Sequence, residues 1–285
     1  RRFDTASPAS MSPAVSPTNL IYNVVAIPGA LYRYIREGRM AWPLTMVVMI
    51  GTLPGVFAGA VIRIRCLPDP KHFKLFVGAV LLYLGGRILF EMTGRSRKGK
   101  EKQAALEAKF RERVLVAKAQ SGLRFAAGLP KDAVVRTKSS GWRRIEYEFW
   151  GETFSFSTLT ILILSLAVGL VGGIYGIGGG AIIAPFVVSI LGLPVYTVAG
   201  AALFGTFLTS IAGVAFFELL AFTPMGASAA VHPDYALGAL FGVGGLLGTY
   251  VGARIQKFLP ERLIRAFLGV LVAALGLQYV VQFFL

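Results

Sequence analysis

The sequence predicts an all-α polytopic membrane protein built from two related helical halves. Three observations predict it. Of 285 residues, 55% are apolar and only 15% are charged, against about 25% charged in soluble domains. Too little polar surface is left to cover a soluble globule. Several stretches approach the roughly 20 apolar residues that cross a bilayer. Short patterns also recur along the chain at a constant offset. The same composition excludes a disordered chain, which needs low hydrophobicity. A single cysteine, Cys66, excludes an intrachain disulfide framework and any multi-cysteine metal site.

Taken in order, residues 1–17 form an irregular segment rich in Ser, Pro and Ala, without the hydrophobic run of a signal peptide. The chain opens on Arg1 and reads as the continuation of upstream material. Residues 18–93 make a first transmembrane half, with spans near 19–35, 43–62 and 73–92. Residues 94–154 are a basic linker. Residues 155–285 make the second half, with spans near 156–175, 197–217, 235–253 and 263–284. A further apolar segment, 180–192, is short. It follows Gly176-Ile177-Gly178-Gly179-Gly180 and contains Pro185. That pattern predicts a broken or re-entrant helix.

The net charge is +15, and it is unevenly placed. The stretch from Arg95 to Arg144 holds 15 of the 29 Lys and Arg residues, whereas 145–253 has none. A nucleic-acid binder spreads basic residues over its folded surface. Here they mark one cytoplasmic loop between two oily halves, so no nucleic-acid partner is expected. Within the linker, Leu106, Phe110, Val114 and Ala117 fall at helical spacing over 101–119. This amphipathic helix is either a lipid-surface handle or a small cap on the spans. Ile145, Tyr147 and Phe149, then Phe154 and Phe156, alternate with polar residues and predict a short β-hairpin at the inner mouth.

The repeat is read from matched patterns. Phe76-Val77-Gly78 with Leu84-Gly85 matches Phe267-Leu268-Gly269 with Leu275-Gly276 at an offset of 191. Gly51, Gly55 and Gly59 match Gly244, Gly248 and Gly252 as rows spaced by four, which let another helix approach closely. With the linker inside, Arg33, Arg36 and Arg39 fall inside, and the 218–234 loop, which lacks Lys and Arg, falls outside. Arg63, Arg65, Lys71 and Lys74 fall outside against the rule. The balance favours an inverted repeat over a parallel one. The first half has no counterpart of residues 156–192, so two N-terminal segments are expected to be missing.

Enzymatic constellations are poor. His72 and His232 sit in loops, and no triad, HExxH or paired carboxylates within a span can be made out. No enzyme, metal or cofactor is expected. A helix broken inside the membrane exposes backbone N–H groups and a positive dipole end, which hold an anion without a buried cation. Gly176, Gly178, Gly179 and Gly180 would supply them. The competing reading is tight helix packing through small residues. Polar groups cluster in matching segments of the halves: Ser16, Thr18, Asn19, Tyr22 and Asn23, then Thr206, Thr209 and Ser210. Polar residues in spans are costly and mark substrate paths, although Ser and Thr also bond helix to helix. Asn19 and Asn23 share one helical face.

These motifs carry a resemblance. Gly172-Gly173-Ile174-Tyr175-Gly176-Ile177-Gly178-Gly179-Gly180-Ala181 with Pro185 resembles the glycine signature of the TauE/SafE sulfite exporter family. Ser16-Pro17-Thr18-Asn19-Leu20-Ile21-Tyr22-Asn23 is similar to the corresponding first-half region. The resemblance covers roughly 12–94 and 155–285. It implies a permease of a prokaryotic cytoplasmic (inner) membrane for small sulfur-containing anions, of the sulfite, sulfonate or thiosulfate class. The chain departs from the family pattern in lacking a first-half glycine signature. Alternating access around Asn19, Tyr22, Asn23, the signature glycines, Thr206, Thr209 and Ser210 is the expected mechanism, with a homodimer as one oligomeric expectation. The alternative is a non-transporting membrane scaffold that recruits a partner through the basic linker.

Overall fold

The computed structural model describes residues 14–67, 69–92, 112, 134–176, 178–191, 193–224, 231–255 and 261–284. Among these, five helical stretches are long and apolar enough to cross a membrane: Trp42–Arg65, Lys71–Phe90, Thr158–Tyr175, Thr197–Ala221 and Ala266–Phe284. Tyr235–Thr249 is a shorter apolar stretch. The chain is a multi-pass membrane protein. The amphipathic helix expected over 101–119 and most of segment 1–17 lie outside the described residues.

The first expected span, 19–35, is instead two short helices, α1 (Val15–Ala26) and α2 (Pro28–Arg36). The cause is Pro28. Its ring nitrogen has no N–H to continue the α1 ladder, and its fixed φ suits the first position of a new helix. Helix α2 is amphipathic, burying Leu31 and exposing Tyr32 and Arg33. Arg33 and Arg39 both pair with Glu37, at 3.0 and 2.8 Å.

Helix α3 (Trp42–Arg65) and helix α4 (Pro70–Met92) follow, ahead of the linker. The linker ends in a three-stranded antiparallel sheet, β1 (Val135–Ser140), β2 (Arg144–Phe149) and β3 (Glu152–Ser157), in that spatial order. The expected hairpin is β2–β3, with Ile145 opposite Phe156 and Tyr147 opposite Phe154. Its two-residue turn places Trp150 and Gly151 at φ 50° and 81°, as the right-handed twist of a tight hairpin requires. Strand β1 was not foreseen; its exposed, polar pattern carries no period-two apolar signal. Alternation buries Ile145, Tyr147 and Phe149 on one face of the sheet. That face packs with Leu44, Ile183, Leu193 and Val198 in the largest apolar cluster.

Helix α5 (Thr158–Tyr175) begins directly after β3, with Ser157 Oγ accepting from the Thr160 N–H at 3.4 Å. Then come α6 (Gly179–Leu191), α7 (Val195–Ala221), α8 (Tyr235–Ile255) and α9 (Glu261–Phe284). Helix α3 lies along α5 through the predicted glycine row. A Cβ at Gly55 would sit 2.5 Å from Leu166 O, and one at Gly51 would sit 2.5 Å from Ser165 Cβ. Only glycine permits that backbone approach.

Other contacts join helices before the linker to helices after it. Helix α1 packs on α8, and α7 packs on α3. Helices α4 and α9 pack antiparallel, since Gly78 approaches Gly276 while Gly85 approaches Ala273. A Cβ at Gly85 would meet Ala273 N at 2.6 Å, and one at Gly276 would meet Leu82 N at 2.7 Å. Leu82 and Ala273 are themselves matched at the offset that relates Gly85 to Gly276.

Candidate substrate site at the helix break

The site is built where α5 ends. Its last turn closes with the Gly176 N–H donating to Gly172 O at 2.8 Å, and Gly176 takes φ +81°. Gly178 follows at φ +82° and precedes the first turn of α6. Both values lie in the left-handed region that residues with a Cβ avoid. The chain thereby reverses within three residues. Two contacts place both outer ends of this hairpin on one face. Thr158, at the start of α5, donates its backbone N–H to Arg143 O at 3.3 Å. Thr197, in the first turn of α7, hydrogen-bonds Tyr147 of the same sheet at 2.9 Å.

Helix α1 covers the break. Its Asn19 Nδ2 donates to Gly176 O at 2.7 Å, and Ser16 Oγ donates to Ile174 O at 3.3 Å. A Cβ on Gly176 would meet the Ser16 backbone at 2.5 Å. One turn further along α1, Asn23 Nδ2 donates to Ser210 Oγ of α7 at 3.1 Å. Ser210 Oγ and the Thr206 methyl stand 3.1 and 3.0 Å from where a Cβ of Gly178 would be. Asn19, Asn23, Gly176, Gly178, Thr206 and Ser210 therefore meet, from three separate segments.

The remaining predicted residues take other positions. The Tyr22 ring packs on Gly245 of α8, 2.6 Å from its ideal Cβ position, which directs it to α8. Thr209 Oγ1 donates to Gly205 O at 2.6 Å and Thr206 Oγ1 to Ala202 O at 2.8 Å, so both hydroxyls bond their own helix. Gly179 lies against the Thr52 side chain, and Gly180 follows in the first turn of α6. Sequence reasoning did not single out Thr52 or Ser165. Thr52 wedges between Gly169 of α5 and Gly179 of α6. Ser165 Oγ is buried with no hydrogen-bond partner among the described residues. Its signal was its register: Ser165, Gly169 and Gly173 form a four-spaced small row facing that of α3.

The electrostatics are those of neutral dipoles. No Asp, Glu, Lys or Arg occurs from 153 to 217, nor in α1. The first N–H groups of a helix have no partner within it, and α6 is preceded by a glycine, which has no side chain to cap them. Its positive end, worth about half a unit charge, faces the neighbourhood of Ser210 and Thr206. The buried cation Arg63 is held elsewhere, over the Phe73 ring at 3.7 Å and on Leu67 O.

Fold and site together define a multi-pass membrane protein with an uncharged polar cluster at an internal helix break. The chain belongs to the TauE/SafE sulfite exporter family, a family of membrane permeases: the family model described as "Sulfite exporter TauE/SafE" matches residues 8–279. That match takes in both halves and the linker. Neither a curated protein nor a solved structure matches the chain.

Proposed function

We propose that this permease moves small sulfur-containing anions, of the sulfite, sulfonate or thiosulfate class, across a prokaryotic cytoplasmic membrane by alternating access. The observation that carries the reading is the convergence at the α5–α6 break. A glycine-preceded helix N-terminus, two asparagines and a serine hydroxyl meet there in a segment without any charged side chain. An anion is held by backbone N–H groups of α6, with Asn19, Asn23 and Ser210 completing its shell. Each amide carries two N–H donors. Tyr22 and Thr209 support the site from behind, Tyr22 through α8 and Thr209 through its own helix.

In this reading residues 18–93 and 155–285 are inverted repeats. Two features support it. The antiparallel pair α4–α9 makes contacts that map onto one another when the halves are exchanged, Gly85 on Ala273 and Gly276 on Leu82. Helices α1 and α7 exchange partners in the same way, one on α8 and the other on α3. The α5–α6 hairpin is a re-entrant element, entering and returning on the linker side.

The test is counterflow of labelled sulfite, thiosulfate and a short alkyl sulfonate in proteoliposomes holding the full chain. Accumulation of one of these above protein-free vesicles is expected, reduced by Asn23→Ala and by Gly178→Ala. Wild-type rates in both variants, folded to the same melting temperature, would sink this site.

A further inference from the structure

Trp142 is 96% exposed, in the turn between β1 and β2. A tryptophan left in water forfeits most of the stabilisation its ring gains on burial, so its position needs a cause. The turn is firmly held. The Gly141 N–H donates to Arg144 O at 3.1 Å, and Thr158 Oγ1 donates to Gly141 O at 3.0 Å. Thr158 is the first residue of the span α5. The turn thus sits at the level where a helix enters the bilayer.

The helix surface beside it is apolar and exposed. Leu159, Ile163 and Leu166 are exposed at i, i+4 and i+7 on α5, and the Trp142 turn is bonded to the helix at Thr158, one residue before Leu159. The same level recurs on α3. Trp42 opens that span, its ring edge-on to Phe204 at 5.6 Å, and the nearby Gly38 O accepts from the Val135 N–H of β1 at 3.0 Å. Tryptophans favour this interfacial layer, apolar ring inward and N–H toward water. Charge fits as well. Lys138 pairs with Glu148 at 2.9 Å and Arg144 with Ser155 at 2.6 Å, whereas Arg143 makes no ion pair among the described residues.

We propose that the Gly141–Trp142–Arg143 turn is a bilayer anchor. The Trp142 indole enters the interfacial layer beside α5, and Arg143 meets an anionic lipid headgroup. The sheet is then held from two sides, by the lipid and by the helices under Tyr147.

The experiment uses the full chain with Trp42→Phe and Trp150→Phe, leaving Trp142 as the sole tryptophan, in vesicles of neutral lipid with or without anionic phosphatidylglycerol. Emission shifted to the blue, quenched by lipids brominated near the headgroup and shielded from aqueous iodide, is expected. The shift is larger with the anionic lipid, and Arg143→Gln removes that difference. Water-like emission open to iodide overturns the proposal. So does shielding from both iodide and bromolipid, which would mean that protein covers the turn. Should the double variant fail to fold, the same quenching is read as the difference between the wild-type chain and Trp142→Phe.

Discussion

The two glycine rows make opposite predictions for one chemical change. Gly55 on α3 and Gly248 on α8 are the middle members of the two four-spaced glycine rows. A Cβ at Gly55 would lie 2.5 Å from Leu166 O, 2.8 Å from Leu170 N and 2.9 Å from Gly169 C. All three are backbone atoms, so no side chain can turn aside. Reaching ordinary contact, about 3.5 Å, requires α3 and α5 to separate by about 1 Å. At Gly248 nothing lies within 4 Å of the same added atom. Alanine favours a helix over glycine by about 1 kcal/mol, and overpacking costs about 1–3 kcal/mol. Gly248→Ala is therefore neutral or stabilising by up to about 1 kcal/mol. Gly55→Ala is a net loss of about 1–2 kcal/mol, more where the row parts along its length. The assay is thermal unfolding in one detergent, followed by circular dichroism. A gap of about 1–3 kcal/mol is roughly 2–12 °C in a chain of this size. Equal melting temperatures for wild type and Gly55→Ala would refute the close approach. An equal loss at Gly248 would refute the open face of α8 and show it covered in the membrane.

Further outcomes follow from the site and the sheet. Gly176→Ala places a Cβ at φ +81° and against the Ser16 backbone, costing at least about 1–2 kcal/mol, read as a lowered melting temperature. Asn23→Ala removes the bond to Ser210, worth about 1 kcal/mol. It slows counterflow about five-fold with little change in expression, whereas Tyr22→Phe, which keeps the ring on Gly245, transports at the wild-type rate. Burial pushes the Tyr147 phenol above its usual range, with the Thr197 hydrogen bond opposing in part. The folded state thus favours the neutral phenol. Its contribution is whole below the unfolded pKa of about 10 and is lost as pH rises through the higher folded value. Stability falls in alkali, and Tyr147→Phe flattens that fall; an unchanged alkaline profile in the variant would assign the loss to other groups.

Much of this architecture was legible because it rests on composition and period. Long uncharged runs can only be spans, and the alternation Ile145, Tyr147, Phe149 can only be a half-buried strand. The break at Gly176–Gly178 was legible because positive φ demands glycine. Asn19 and Asn23 were legible as one helical face and Thr206 and Ser210 as hydroxyls in an apolar span, and the structure brings them together. What failed depended on contacts. Pro28 lies within an apolar run, and the spacing of that run did not show that a second, amphipathic helix starts there. Tyr22 shares a helix with both asparagines, but its ring is drawn to the cleft left by Gly245. Helical spacing assigns a face and does not say which neighbour will be glycine there. Strand β1 owes its place to pairing with β2, since five of its six residues are exposed.

The absence of charge at the break is itself informative about a transport site. A Lys or Arg in the hydrocarbon would cost several kcal/mol to bury and would then hold an anion tightly in a low dielectric. Tight binding opposes release on the far side. A helix end offers only about half a charge, fixed in direction by the fold and without a proton to lose. Asn23 adds donors that already have a resting partner in Ser210. In the proposed site an arriving anion would take the place of the Ser210 hydroxyl on the Asn23 amide, and its departure would restore that bond. The proposed site is thus suited to modest affinity and rapid exchange. Replacing Ser210 by Ala tests that logic, because it removes the hydroxyl that accepts from the Asn23 amide. The expected result is tighter anion binding with slower turnover, a lower KM and a lower maximal rate in counterflow. A raised KM instead would mean that Ser210 contacts the anion directly and that the amide is not held in reserve.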